Sequence, residues 1–299
     1  MHTKEEKLAA FSRLLDVQDR LRLQCPWDKK QTFESLRPNT IEETFELCDA
    51  LMKRDYKDIK KELGDVLEHV MFYCIIGRED GEFDICDVCN QEADKLMFRH
   101  PFINWKEEGE WTVANPDMYI NDAGQVVYKE SEETLALGAS KPKNAASVEK
   151  TWEQIKQQEK DGNERVLSGV PNSLPSLIKA YRIQDKARNV GFDWKEKEDV
   201  WDKVHEELEE LKAELAKDDK ENSTQELGDF LFSVINAARL YKLNPDNALE
   251  KTNQKFIRRF NYVEDHSLKQ GKNLKDMSLE EMDKLWDEAK KQERLQKES

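Results

Sequence analysis

Apolar residues recur along most of this chain at the spacing of amphipathic helices. Leu47 and Leu51 are four residues apart, and Leu63, Leu67 and Val70 repeat the spacing further on. The pattern predicts helices over residues 4–23, 40–53, 55–78, 84–98, 148–160, 174–189, 197–217, 223–242, 245–268 and 278–296.

Residues typical of helix starts support these predictions. Pro38 precedes the segment Thr40–Glu43, which has the form of a capping box, and Ser278–Glu281 has the same form. Asp55 is a suitable N-cap for the third helix, and Asn244-Pro245 is a cap followed by proline at the first helical position.

Residues 103–147 depart from the helical pattern. Tyr119–Tyr128 alternates around a turn and predicts a small β-hairpin, whereas Gly138–Asn144 is typical of a linker. We therefore predict an all-α chain with two tandem helical-bundle domains and a small hairpin-like insertion between them. The predicted bounds are 1–105 for the first domain, 106–147 for the insertion and 148–299 for the second domain.

The composition narrows the classes of function. Among 299 residues, 63 acids outnumber 48 bases, and the net charge of −15 argues against binding to a nucleic-acid polymer. No run of 18 apolar residues is present, so we expect no membrane span. The odd number of cysteines, five, is typical of reduced thiols, which favours a cytoplasmic protein.

An internal repeat is the most informative feature of the sequence. When the chain is shifted by 164 residues, 42–76 aligns with 206–240 without a gap, and 13 of the 35 positions are identical. The repeat indicates a duplicated domain, and it shows which polar residues both copies kept.

Both copies kept four acids, spaced as Glu-x-x-Glu and then Glu-x-x-Asp. In the first copy they are Glu43, Glu46, Glu62 and Asp65, and in the second Glu207, Glu210, Glu226 and Asp229. Residues three apart share a helix face, so two antiparallel helices would bring four carboxylates together. Such a group repels itself unless a cation is bound, and its oxygen ligands suit Mg²⁺, with Mn²⁺ as a substitute.

Single members of this pattern could instead have a purely structural role. Glu43 could be the capping-box partner of Thr40, and Glu226 that of Ser223. His69, four residues after Asp65, could join the metal site, but its repeat counterpart is Ser233, which favours a helix-face histidine. Retention of all four acids in two diverged copies favours the metal site.

Basic residues follow each set of acids. Asn253, Lys255 and Arg259 follow the second set, and Lys95 and Arg99 follow the first. Cationic side chains beside a carboxylate-bound metal are suited to a polyphosphate. The alternative is that they interact only with the dipole at a helix C-terminus.

These motifs together resemble the tandem-domain form of the MazG family, nucleoside triphosphate pyrophosphohydrolases of the all-α NTP pyrophosphatase superfamily. The matching segments cover nearly the whole chain outside 103–147. They are Cys25–Thr32, Thr40–Glu46, Glu62–Asp65, Arg99–Pro101, Trp152–Lys156, Pro171–Pro175, Val190–Trp194, Glu206–Glu210, Glu226–Asp229 and Asn253–Phe260. The sequence departs from the family at Phe102, where a histidine is usual, and at Gln225, where an extra glutamate is common.

The resemblance implies an Mg²⁺-dependent hydrolysis of nucleoside triphosphates to monophosphate and diphosphate, with broad base and sugar specificity, by a homodimer. It assigns both sets of four acids to the metal, and Asn253, Lys255 and Arg259 to the triphosphate, with Lys95 and Arg99 as counterparts. Glu206 becomes a candidate to orient or deprotonate the attacking water. The fuller basic set favours the second domain as the main catalytic one, and Glu206, Glu207, Lys255 and Arg259 as its catalytic residues.

Three other functions fit the sequence less well. A di-iron carboxylate bundle requires Glu-x-x-His pairs, and the sequence contains none. A non-catalytic helical dimerisation module does not explain the retained acids. Within the superfamily the alternative is a narrower enzyme for dUTP, dCTP or phosphoribosyl-ATP.

No Ser/His/Asp or Cys/His set recurs in both copies, which favours attack by metal-activated water over a covalent nucleophile.

Overall fold

A computed structural model describes residues 1–129, 165–269 and 271–298, with side chains to residue 295. The chain divides into two compact units, Met1–Gln158 and Glu159–Ser299, each of which is described by itself. No described helix combines the length and the apolar composition that a membrane span requires.

The first unit contains four α-helices among its described residues. They are α1 (Lys4–Gln24), α2 (Phe33–Lys53), α3 (Tyr56–Glu79) and α4 (Ile85–Phe98), with a short 3₁₀ turn at Asp28–Lys30. Arg22 of α1 donates to the carboxylate of Glu79 at the end of α3, and its guanidinium also contacts the backbone oxygen of Gln31 at 3.1 Å. This arginine therefore fixes the connection between α1 and α2.

The predicted start of α2 at residue 40 is wrong, because the helix begins seven residues earlier. Thr32 and Ser35 form a reciprocal capping box, with each hydroxyl accepting the other residue's backbone N–H. Leu36 is 1% exposed and packs with Phe72 and Ile76 of α3. Burial of this first turn keeps the helix continuous through Pro38, in spite of the missing N–H.

A tight connection folds α2 and α3 into a helical hairpin. Arg54 ends α2 in the left-handed region, with φ 55°, and the side chain of Asp55 accepts the backbone N–H groups of Lys57 and Asp58. The predicted cap at Asp55 is confirmed. Helices joined by so short a link pack antiparallel, so residues near the end of α2 face residues near the start of α3.

The predicted hairpin is present and packs on the first unit. Strands β1 (Met118–Ile120) and β2 (Val126–Tyr128) pair antiparallel, with Tyr119 opposite Val127. Met118 and Val126 share a core with residues of α4. The predicted linker Gly138–Asn144 and the predicted helix 148–160 lie outside the described residues, so the proposed domain bounds stay predictions.

The second unit repeats the plan of the first. Its described α-helices are α5 (Ser176–Asn189), α6 (Val200–Ala216), α7 (Lys220–Leu240), α8 (Pro245–Lys269) and α9 (Leu279–Glu298). Asn244 caps α8, and Ser278 with Glu281 forms the predicted capping box of α9. The all-α fold with two tandem helical domains is confirmed.

Helix α7 begins earlier than predicted. Its N-cap is Asp219, whose carboxylate accepts the backbone N–H groups of Glu221 and Asn222. Ser223 therefore lies inside the helix, just as Thr40 lies inside α2. Glu226 and Glu43 are consequently not capping-box partners, and the capping role predicted as the alternative for these two acids is wrong.

Candidate metal centres

Three of the four acids predicted in the first copy converge between α2 and α3. One carboxylate oxygen each from Glu43, Glu62 and Asp65 lies within 4.8 Å of the others. We call these three residues the first acid group. Glu43 comes from α2, whereas Glu62 and Asp65 come from the antiparallel α3, so the group depends on the packing of the helical hairpin.

Glu46 lies beside this group and not within it. Burial raises the pKa of Glu43, and the negative charges of Asp65, Glu46 and Glu62 raise it further. Glu46 also lines a surface groove of about 420 Å³ together with Glu62. Because ionised carboxylates at this spacing repel one another, the group is suited to a bound cation.

Lys61 compensates part of the negative charge. Its Nζ atom lies 2.9 Å from Oε1 of Glu62 and 3.8 Å from an oxygen of Asp65, and the hydrogen bond to Glu62 raises the pKa of Lys61. The other oxygen, Oε2 of Glu62, is buried without a hydrogen-bond partner. A buried carboxylate oxygen that lacks a partner is costly, so the donor set fits a hard divalent cation.

The second copy brings together the equivalent acids. Oxygens of Glu207, Glu226 and Asp229 lie within 4.8 Å of one another, and we call these residues the second acid group. Burial raises the pKa of Glu226, and the charges of Glu210, Asp229 and Glu207 raise it further. Glu210 thus takes the same place beside the second group as Glu46 takes beside the first.

Lys203 is the counter-charge of the second group. Its ammonium lies 2.7 Å from Glu207 and 2.9 Å from Glu206, and these hydrogen bonds raise the pKa of Lys203. Glu206 is exposed on α6, next to the buried Glu207. The predicted water-orienting acid is therefore adjacent to the acid group and shares its lysine.

Two of the three triphosphate-binding residues predicted in the second copy have other partners in this structure. Arg259 donates to Glu293 at 2.7 and 3.0 Å, and its guanidinium lies 5.7 Å from the ring centre of Trp286. Asn253 donates to Glu250 of its own helix, and Lys255 is exposed on α8. The structure therefore places all three side chains on α8, with the contacts of Arg259 on α9, and does not join them to the second acid group.

The basic residues of the first copy lie on α4. Lys95 pairs with Glu92, one turn earlier on the same helix. Arg99 ends α4, where its backbone N–H donates to the carbonyl of Lys95 at 3.0 Å. Both residues belong to the helix that follows the α2–α3 hairpin.

Sequence reasoning missed two kinds of residue near the acids. Lys61 and Lys203 lie within four residues of a group member, so their spacing was a usable signal. His69, which the sequence assigned to a helix face in preference to the metal site, lies outside the first acid group and is buried and hydrogen-bonded to Thr40. Its partner on α2 is visible only in the folded chain.

Comparison with known proteins adds independent evidence. The sequence model of the MazG nucleotide pyrophosphohydrolase domain matches the chain twice, over residues 31–103 and 195–264. Each match contains one complete acid group. Two helical domains with this repeated match define a hydrolase of the nucleotide pyrophosphohydrolase class.

Full-length relatives identify the family. The nucleoside triphosphate pyrophosphohydrolase of Escherichia coli (strain K12) is 36% identical over 290 residues, which cover 95% of this chain and 98% of that protein. The nucleoside triphosphate pyrophosphohydrolase/pyrophosphatase MazG of Thermotoga maritima is 38% identical over 283 residues, 94% of this chain and 95% of that protein. YabN of Bacillus subtilis is 40% identical over 297 residues, 97% of this chain and 54% of that protein. The chain belongs to the MazG family.

Proposed function

We propose that this protein hydrolyses nucleoside triphosphates to nucleoside monophosphate and diphosphate, with Mg²⁺ as cofactor and Mn²⁺ as its substitute. The water oxygen forms a bond to the α-phosphorus, and the bond from that phosphorus to the bridging oxygen of the β-phosphate breaks. The buried Oε2 of Glu62, which has no hydrogen-bond partner, is the single observation that most favours a cation at these acids.

Each acid group, with its neighbouring glutamate, would hold the cation. A cation bound there lowers the pKa of a water molecule and offsets negative charge on the phosphoryl oxygens. In the second domain Glu206 accepts the proton of the attacking water. Glu206 is suited to this role because it is exposed and adjacent to Glu207.

Lys255, Arg259 and Asn253 would bind the triphosphate. Arg259 is bonded to Glu293, so substrate binding requires that this carboxylate give up the guanidinium to a phosphate oxygen. Lys95 and Arg99 would be the counterparts in the first domain. We propose the second domain as the main catalytic domain, because its basic set includes the asparagine that Ala93 replaces in the first copy.

We further propose broad specificity for ribo- and deoxyribonucleoside triphosphates. The names of the relatives in Escherichia coli and Thermotoga maritima specify no base or sugar. A narrower enzyme for dUTP, dCTP or phosphoribosyl-ATP is the alternative. A panel of these substrates separates the two, because the narrow enzyme would hydrolyse one of them at least tenfold faster than ATP or GTP.

We propose that the active form is a homodimer. Leu63, Leu67 and Val70 form an apolar stripe on α3, and each of these side chains is at least 37% exposed. Their repeat counterparts Leu227, Leu231 and Val234 are exposed on α7 in the same way. Both copies thus kept an apolar face in contact with solvent, which a second copy of the chain would cover.

The decisive experiment is hydrolysis with identification of the products. Wild-type protein with Mg²⁺ should release diphosphate and nucleoside monophosphate, and chelation should abolish the reaction. Glu210→Gln/Asp229→Asn should lower kcat at least 100-fold, whereas Glu209→Gln, which removes an exposed acid paired with Lys212, should not.

Three results would contradict the proposal. Release of orthophosphate and nucleoside diphosphate excludes the proposed reaction, and full activity after chelation excludes the metal. Unchanged activity of Glu210→Gln/Asp229→Asn, with loss of activity in Glu46→Gln/Asp65→Asn, would make the first domain the main catalytic one.

A further inference from the structure

A partly buried polar cluster lies one helical turn away from the first acid group. The hydroxyl of Thr40 on α2 lies 2.6 Å from Nδ1 of His69, 2.5 Å from the hydroxyl of Tyr73 and 3.1 Å from the carbonyl oxygen of Leu36. The imidazole is 7% exposed, and Thr40 is its hydrogen-bond partner among the described residues. The cluster therefore joins α2 to α3 at the level just beyond the acids.

The three contacts of the Thr40 hydroxyl can all be hydrogen bonds in only one arrangement of their protons. The carbonyl oxygen of Leu36 only accepts, so the single proton of the Thr40 hydroxyl is donated to it. His69 and Tyr73 must then donate to the Thr40 oxygen. The imidazole of His69 consequently carries a proton on Nδ1.

The imidazole lies close to the acids but outside their ligand atoms. His69 follows Asp65 by four residues and so shares its helix face, and a charge on His69 would lower the pKa of Glu43. The atoms that lie within 4.8 Å of one another belong to the three carboxylates, however, and not to the imidazole. His69 therefore lies near the acids without belonging to the first acid group.

The cluster is missing at the equivalent described positions of the second domain. Val204, Ser233 and Ala237 occupy the positions of Thr40, His69 and Tyr73. The Ser233 hydroxyl donates to the carbonyl of Phe230 on its own helix, and Val204 and Ala237 pack in an apolar core. The two acid groups thus differ in what lies behind them, although their carboxylates match.

We propose that His69 is a positioning residue of the first acid group: Thr40 holds its Nδ1–H, and its Nε2 accepts a hydrogen bond from a water molecule on the bound cation. This inference rests on the proposed metal centres. At metal sites, a histidine is commonly held in its orientation by a hydrogen bond at its second ring nitrogen. The first domain consequently orients its water through an imidazole, whereas serine takes the position of this histidine in the second domain.

Nitrogen-15 NMR of the full-length protein tests the tautomer directly. His69 is assigned by its absence from the spectrum of His69→Gln. We expect a neutral ring protonated on Nδ1, and Mg²⁺ should shift the Nε2 resonance of wild type but not of Glu62→Gln/Asp65→Asn. In Thr40→Val, which carries the residue of the second copy, the preference for Nδ1–H should disappear. A ring protonated on Nε2 would overturn the proposal. So would an Nε2 resonance that does not shift when Mg²⁺ binds to the first acid group.

Cation affinity provides a second readout that is independent of catalysis. In a parent protein with the second group disabled by Glu207→Gln/Asp229→Asn, Mn²⁺ binding to the first group is measured by electron paramagnetic resonance. His69→Ser, which introduces the residue of the second copy, should weaken binding about tenfold. His100→Ser, which changes a histidine elsewhere in the first unit, is the matched control and should leave it unchanged.

The outcomes separate this inference from the function on which it rests. Equal Mn²⁺ affinity of His69→Ser and the parent would exclude the proposed role of His69 but would leave the metal centre in place. Absence of Mn²⁺ binding by the parent would exclude the first metal centre, and this inference with it.

Discussion

The ammonium of Lys203 lies 2.7 Å from a carboxylate oxygen of Glu207, and both residues belong to α6. In the first copy the corresponding lysine, Lys61, comes from the opposite helix of the hairpin, α3. The repeat counterparts of these lysines are Asn39 and Gln225. Each domain therefore offsets its acid group with one lysine, and the two lysines occupy different positions of the repeat.

Removal of Lys203 should strengthen cation binding to the second acid group. In Lys203→Met the second acid group loses the charge that competes with a cation, so we expect Mg²⁺ affinity to rise about two- to fivefold, the range for a partly exposed ion pair. The measurement is the shift of the unfolding temperature against Mg²⁺ concentration. Lys212→Met, which removes a lysine paired with Glu209 on the same helix, is the control, and an equal rise in that variant would contradict the prediction.

Neutralisation of Glu43 should stabilise the metal-free protein. Burial and like charges raise the pKa of Glu43 above its ordinary value of 4.5, so its ionised form destabilises the folded state, and this penalty is full above the raised pKa. Glu43→Gln in a chelator should raise the unfolding temperature at pH 7 by about 1–3 °C. The difference should shrink as the pH falls through the raised pKa, because Glu43 then becomes protonated in the wild type.

The same variant separates charge repulsion from other effects. Mg²⁺ should stabilise the first unit of the wild type more than that of Glu43→Gln, since the variant lacks one ligand. Glu42→Gln alters the adjacent exposed acid and serves as the control. A lower unfolding temperature of Glu43→Gln in the chelator at pH 7 would refute the repulsion argument.

The α2–α3 hairpin should depend on Leu36. This side chain is 1% exposed between α2 and α3, so Leu36→Ala leaves a cavity and should lower the free energy of unfolding by about 2–5 kcal/mol. Leu8→Ala, at a residue 59% exposed on α1, should change it by less than about 0.5 kcal/mol. Denaturant unfolding measures both, and similar values for the two variants would exclude the described core.

Asp94 should hold the hairpin insertion on α4. Its buried carboxylate accepts the backbone N–H of Asn115 at 2.7 Å and that of Ala114 at 3.1 Å. Asp94→Ala leaves these groups without a partner, at a cost of about 1–3 kcal/mol. Amide hydrogen exchange should accelerate at Ala114 and Asn115, and in both strands. Glu92→Ala, on the exposed side of the same helix, should leave these exchange rates as they are.

The apolar stripes on α3 and α7 should carry the dimer contact. Light scattering of the wild type should give twice the chain mass of 35.1 kDa. Leu67→Arg combined with Leu231→Arg should give the mass of one chain, because a charge in each stripe prevents burial. Leu8→Arg, at an exposed leucine of α1, is the control. A monomeric wild type would exclude the homodimer.

Much of the fold was predictable because its signals are local. The caps at Asp55, Asn244 and Ser278 and the turn of the hairpin each depend on a few neighbouring residues. The helix start at residue 223 was predicted wrongly although the true N-cap, Asp219, is also a local signal. The start at residue 40 was predicted wrongly for the opposite reason. Burial of Leu36 extends α2 through Pro38, and such burial is a property of the packed helices and not of the local sequence.

The candidate site likewise combines features that were predictable from the sequence with features that were not. The repeat singled out eight acids, because both copies kept them at one spacing, and helical periodicity placed them on shared faces. The repeat and the periodicity did not reveal that Glu46 and Glu210 lie beside the acid groups, or that Arg259 is bonded to Glu293 on another helix. These contacts depend on distances between helices, which spacing along one helix does not contain.

The sequence by itself determined the helical class, the duplication, the family and the eight acids, because each follows from periodicity or from residues kept at a fixed spacing. Only the tertiary structure decided which three acids of each copy converge, which lysine compensates them, and that His69 is held by Thr40 next to the first group. Antiparallel packing brings together residues that are distant in the sequence, and burial then raises the pKa of Glu43 and Glu226 and selects the hydrogen-bond partners.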